Sequence, residues 1–169
     1  MRARRFKAAV AVAIGLVFGG CQTTPPYVYH YVPGQTATLA AGYAAAPPAA
    51  PPLVRRAIAA GNEIAGLPYR FGGGHANFYE GAYDCSGAVS YVLHSIGRLS
   101  HPEPSASLRH YGESGPGRWV TVYAREGHAF LVVAGLRFDT GYGAGARGPH
   151  WLTRSRPADG YVMRHPSGL

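Results

Sequence analysis

Cysteine is scarce in this chain. Among 169 residues only Cys21 and Cys85 occur. The surroundings of Cys21 give it a separate role, so Cys85 has no partner for an internal disulfide. Lysine is scarcer still: Lys7 stands alone, and the chain beyond it is basic through arginine. Eight acidic residues face sixteen lysines and arginines, a formal net charge of +8. Arg2, Arg4, Arg5 and Lys7 all lie at the extreme N-terminus, and without them about +4 remains. That balance is too small and too unclustered for a nucleic-acid partner, and it suits an acidic one such as a wall polymer or anionic lipid headgroups. No apolar run reaches membrane-spanning length. His75, His94, His101, His110, His150 and His165 are scattered without metal-ligand spacing, so no metal site is expected. The glycine-rich run 141–148 lacks the lysine and following hydroxyl residue of a phosphate loop. The chain carries no internal repeat.

What is present begins with the N-terminus. A basic head is followed by a short apolar stretch, residues 8–18, then Gly19, Gly20 and Cys21. This segment resembles a bacterial lipoprotein export signal, although Phe18 is unusual at its position. The resemblance implies that Cys21 becomes the mature N-terminus and carries acyl chains that hold the protein on a membrane. Gln22, in place of an aspartate, favours the outer membrane by analogy with enteric bacteria. Residues 22–52 are rich in alanine and punctuated by Pro25-Pro26, Pro33-Gly34, Pro47-Pro48 and Pro51-Pro52. Such a composition predicts an extended, poorly packed tether. Tyr27, Tyr29, Tyr31 and Tyr43 read as solvated linker aromatics.

The folded domain is expected from residue 53 onward, as one α+β unit. Leu53, Val54, Ala57, Ile58 and Ile64 recur at helical spacing and predict a helix over 53–65. Pro68-Tyr69-Arg70-Phe71-Gly72-Gly73-Gly74 then reads as a loop needing unusual backbone angles or close approach. Val89, Val92, Leu93 and Ile96 mark the apolar face of a second helix that stops at Gly97, with Asp84 or Ser86 as its cap. Strands are predicted over 119–123, 128–133, 136–140 and 161–164. Trp119 and Trp151 read as core or cleft-wall aromatics, and His94 as a solvated side chain.

Cys85 falls at the start of that second helix, where unpaired backbone N–H groups and the helix dipole favour a thiolate. Taken alone, it fits a nucleophile or a buried structural cysteine equally well. His128 opens an apolar strand after Gly127. Pairing strands 128–133 and 136–140 as a hairpin returns Asp139 or Thr140 to His128, where either can orient the imidazole.

Three pieces in order, Leu67-Pro68-Tyr69-Arg70-Phe71-Gly72-Gly73, Asp84-Cys85-Ser86-Gly87-Ala88-Val89 and Gly127-His128, resemble the NlpC/P60 family of cysteine peptidases. The resemblance spans roughly residues 53–165. It implies a papain-like α+β fold, with N-terminal helices packed on an antiparallel sheet. It also implies an enzyme that cuts the amide between D-γ-glutamyl and a diamino acid in peptidoglycan stem peptides. By the same resemblance Cys85 is the nucleophile, His128 the general base, and Tyr69 a lining of the oxyanion site. Asp84 and Ser86 match positions that receive substrate, including a free peptide amine. No metal or cofactor is needed.

Two departures stand out. The family's third catalytic position is commonly histidine, whereas the matching window here holds Asp139 and Thr140. Asp139 is preferred, Thr140 is the alternative, and His150 is a minor option. The long loop 74–82 is expected to reshape the substrate groove. Two other functions share the same residues: a non-catalytic wall-binding lipoprotein, and an acyl-transferase that passes the acyl group to an amine.

Overall fold

The computed structural model describes residues 23–141 and 147–169. The expected export signal, the lipid-acceptor Cys21, and residues 142–146 of the glycine-rich run lie outside the described residues. The architecture is mixed α+β, with helices packed on an antiparallel sheet.

Helix α1 spans Pro52–Ile64. Proline suits its first turn, where the missing N–H has no intrahelical partner to lose. Val54, Ala57, Ile58, Gly61 and Ile64 form its buried stripe. Gly61 is there for space, since a Cβ at that position would lie 2.3 Å from the ring of Trp151. Helix α2 spans Cys85–Ser95, one residue from the predicted start and stop. Gly97, at φ +70°, ends it. Gly97 N–H bonds the His94 carbonyl and Arg98 N–H bonds that of Leu93, both at 2.8 Å, which satisfies the last carbonyls of the helix. A single turn, α3, occupies Ser105–Leu108.

Two short strands, β1 (Thr38–Ala40) and β2 (Tyr43–Ala45), form a separate hairpin. The main sheet comprises β3 (Glu113–Ser114), β4 (Val120–Arg125), β5 (His128–Val133), β6 (Leu136–Asp139), β7 (His150–Leu152) and β8 (Val162–His165), in the order β3-β8-β4-β5-β6-β7. Every neighbouring pair is antiparallel. Ala134-Gly135 joins β5 to β6 as a two-residue turn with both φ angles positive, 47° and 78°. Such a turn matches the twist of a hairpin and fixes its register.

Alternation along the strands gives the sheet two apolar faces. Val120, Val122, Leu131, Val133, Leu136 and Phe138 pack into the main core with α1 and α2. On the other face, Tyr123 and Phe130 join Tyr27, Ala158 and Tyr161 in a smaller cluster.

Tyr27 belongs to the segment read as a tether, and here expectation and structure part. Residues 23–51 pack on the domain. Ala37, Ala44 and Ala50 lie in the main core. Tyr27 exchanges two backbone hydrogen bonds with Arg156, at 2.9 and 3.0 Å. Its hydroxyl donates to the Gly135 carbonyl at 3.0 Å and accepts from the Arg137 N–H at 3.2 Å. Burial pushes this phenol up to about 12. The physical reason is that an uncharged Ala/Pro segment costs little to desolvate, and one buried tyrosine supplies the apolar area that the alanines lack. Tyr31 and Tyr43 remain exposed, as expected of solvated aromatics. Tyr27→Ala should lower the unfolding free energy by about 3 kcal/mol, as for other large-to-small substitutions of buried aromatics. A urea midpoint equal to that of the unsubstituted protein would show the segment to be dispensable.

Candidate active site

The site is assembled at the start of α2. Asp84 caps this helix: its Oδ1 accepts the Gly87 N–H at 2.8 Å, and its Oδ2 accepts the Gly72 N–H at 3.0 Å. The loop that supplies Gly72 lies directly on the helix. A Cβ on Gly87 would meet the Gly73 carbonyl oxygen at 2.0 Å. A Cβ on Gly73 would in turn lie 2.5 Å from the Ala82 carbonyl oxygen, so each glycine leaves room for neighbouring backbone. Pairing of Tyr69 with Tyr83, next to the cap, brings Tyr69 beside Cys85. Burial, then the negative charges of Cys85 and Asp84, hold the Tyr69 phenol above its ordinary value. It is therefore a hydrogen-bond donor at neutral pH.

His128 opens β5, against which α2 packs. Only 3% of its surface is exposed. Burial pushes its imidazole down, but hydrogen bonds to Asp139 and Cys85 and the charges of both push it up, and the net shift is upward. His128 Nε2 lies 2.9 Å from Asp139 Oδ1, which leaves Nδ1 for the sulfur of Cys85. His128 thus interacts with both Cys85 and Asp139.

Register chooses between Asp139 and Thr140. Val132 pairs with Arg137, and alternation carries that face to His128 on β5 and to Asp139 on β6. Thr140 falls on the other face, and its hydroxyl has no partner among the described residues. His150 sits across from Asp139 on β7, but its Nδ1 lies 2.8 Å from the Gly148 carbonyl oxygen.

Asp139 is also held from behind. Its Oδ2 accepts from an Arg156 guanidinium nitrogen at 2.9 Å and faces one of Arg137 at 3.5 Å. Its Oδ1 takes the Thr140 N–H at 2.9 Å as well. Arg156 is thus a partner of the buried carboxylate, through a contact that crosses 17 residues and leaves no local mark in the sequence.

The two residues expected to receive substrate are already engaged. His75 Nε2 lies 3.0 Å from Asp84 Oδ1 and 3.1 Å from Ser86 Oγ. Ser86 Oγ itself is 3.2 Å from Asp84 Oδ1. Three of these contacts converge on Oδ1, whereas Oδ2 takes only the Gly72 N–H. His75, whose side chain is one-quarter exposed (25%), therefore competes with an incoming amine for Oδ1. His75→Ala should therefore lower KM several-fold for peptides with a free N-terminal amine and leave N-acetylated peptides unchanged. Equal effects on both peptides would separate His75 from amine recognition.

The rest of the long loop packs away from the nucleophile. Phe78 stacks on His94 with ring centroids 3.8 Å apart, and Tyr79 meets Tyr91 edge-on. Both partners lie towards the C-terminal end of α2, away from Cys85. His94 is accordingly half-buried rather than solvated. Trp151 is buried in the core. Among the described residues no group of three or more metal-ligating side chains converges.

Comparison with protein-family models, with curated proteins and with solved structures gives no match. Function is therefore argued from the geometry of Cys85, His128 and Asp139.

Proposed function

We propose that this protein is a cysteine peptidase of the NlpC/P60 type, with a papain-like arrangement of helix and sheet. Its substrate is the amide between D-γ-glutamyl and a diamino acid in a peptidoglycan stem peptide. Acyl chains on Cys21 hold it at the cell envelope, at the outer membrane facing the periplasm. The observation that carries this reading is a buried histidine joined to Cys85 on one side and to Asp139 on the other.

The chemistry follows from that arrangement. The Cys85 thiol passes its proton to His128, and Asp139 stabilises the imidazolium without taking the proton. The thiolate attacks the amide carbonyl. Its oxygen gains negative charge, which the N–H groups at the start of α2 and the Tyr69 hydroxyl are placed to hold. His128 returns the proton to the departing amine, and the C–N bond breaks to leave a thioester on Cys85. Water then attacks the thioester with His128 again as base, and the free acid leaves.

The test is incubation with defined stem peptides and identification of the new ends by mass spectrometry. The expected products are a fragment ending in D-γ-glutamate and one beginning with the free amine of the diamino acid. Stem peptides recovered intact would overturn the proposal.

A further inference from the structure

Two neighbouring cavities share the residues Arg147 and His150 in their walls. One, of about 520 Å³, reaches Tyr69, whose phenol feels the charge of Cys85. The other, of about 550 Å³, is lined by Asp139 together with Arg137, Arg154 and Arg156. A slightly larger cavity, about 570 Å³, lies at Thr24, Ser114 and Met163 and holds none of Cys85, His128 and Asp139.

The charge in the second cavity is one-sided. Four arginines line it, and Asp139 is its single carboxylate. Asp139 is already committed to His128 and Arg156. Arg147 and Arg154 are exposed, and their side chains have no ion pair or hydrogen bond among the described residues. Arg137 is more telling. It is 4% exposed, its guanidinium lies over the rings of Tyr27 and Phe130, its Nε has no hydrogen-bond partner among the described residues, and its one acidic neighbour stands at 3.5 Å and is shared. A buried guanidinium paired so incompletely is costly, and an anion in the cavity relieves that cost.

We propose that this cavity binds a carboxylate of the substrate, with Arg147 and Arg154 as its recognising groups and Arg137 as the fixed charge beneath them. The inference rests on the peptidase reading and names the property of the stem peptide that the cavity selects. Stem peptides suit it, because their γ-linked glutamate and terminal residue each carry a carboxylate that is not spent in the backbone, and so does the diamino acid where it is diaminopimelate. Guanidinium pairs with carboxylate through two parallel hydrogen bonds, which supplies direction as well as charge.

The test uses one diaminopimelate stem tetrapeptide and three derivatives, each with a single carboxylate converted to an amide. For the unsubstituted protein, one of the amides should cost about tenfold or more in kcat/KM, mainly through KM. In the double variant Arg147→Gln, Arg154→Gln the same amide should cost less than about twofold. Both residues are exposed, so the urea midpoint of the variant should stay put, which excludes misfolding as the cause. Two results overturn the inference: no amide matters to the unsubstituted protein, or the penalty persists in the double variant. If no peptide is cut at all, the peptidase reading falls and the cavity is judged by calorimetric titration with the acid and the fully amidated tetrapeptide. Tighter binding of the acid, lost in the double variant, supports the carboxylate site, and equal affinities overturn it.

Discussion

Cys85→Ala should give a folded protein whose hydrolysis of stem peptides falls by on the order of 10⁴-fold or more, the scale on which nucleophile deletions act. The fold should survive for local reasons. Helix α2 is capped by the carboxylate of Asp84 and not by the thiol. Alanine is also the best helix former, so the first turn loses nothing in propensity. Sγ makes no disulfide. The variant should therefore unfold at a urea concentration close to that of the parent while product formation disappears. Persistent cleavage would eliminate Cys85 as the attacking group. Cleavage lost together with cooperative unfolding would make it a packing residue instead.

Asp139→Asn should cost about 10²- to 10⁴-fold in kcat, because the amide keeps the shape but not the charge that stabilises the imidazolium. The pH profile gives a sharper reading. Burial works against the imidazolium of His128, and the Asp139 and Cys85 interactions outweigh it, so the proton is retained to higher pH than usual. Removing the Asp139 charge removes one upward influence. His128 must be unprotonated to take the thiol proton, so the acid limb of the rate profile should then move to lower pH. Stability follows the same sign. A raised folded value stabilises the native state fully below about pH 6.5, the ordinary histidine value, and that contribution fades as pH rises through the raised value. The Asn variant should lose much of this dependence. It should also be less stable, since the carboxylate offsets two arginines as well as the imidazole, and breaking a buried pair on one side costs about 3–5 kcal/mol. Thr140→Ala should leave kcat and the acid limb nearly unchanged. If instead Thr140→Ala proves the more damaging, the assignment of Asp139 as the orienting group is wrong.

The helices and the central hairpin were legible because their signals are local. Apolar spacing, an aspartate cap and a terminal glycine set α2 to within a residue of its bounds. The choice of Asp139 over Thr140 was only half legible. It depends on a turn in which Ala134, not a glycine or asparagine, takes positive φ. The supports of the site were not legible, because each is a contact between distant parts of the chain. Arg156 meets Asp139, and Tyr27 meets Arg156 across most of the domain. Strand β7 is three residues long and gives no periodicity to read. His75 sits nine residues before Asp84, in a loop whose shape is set by glycine packing on α2. Composition misled most over residues 23–51, where alanine and proline imply a linker whether or not a partner surface exists.

If Cys21 carries a lipid, as proposed, that packed segment sets how far the protein can act from it. A free leash of 31 residues would extend roughly 100 Å at full stretch. Thr24, however, already donates its hydroxyl to the Tyr161 carbonyl. The slack between anchor and body shrinks to about two or three residues, or roughly 10 Å. A lipidated form would therefore sit almost flush with the bilayer and work on the glycan layer nearest that leaflet, leaving deeper layers out of range.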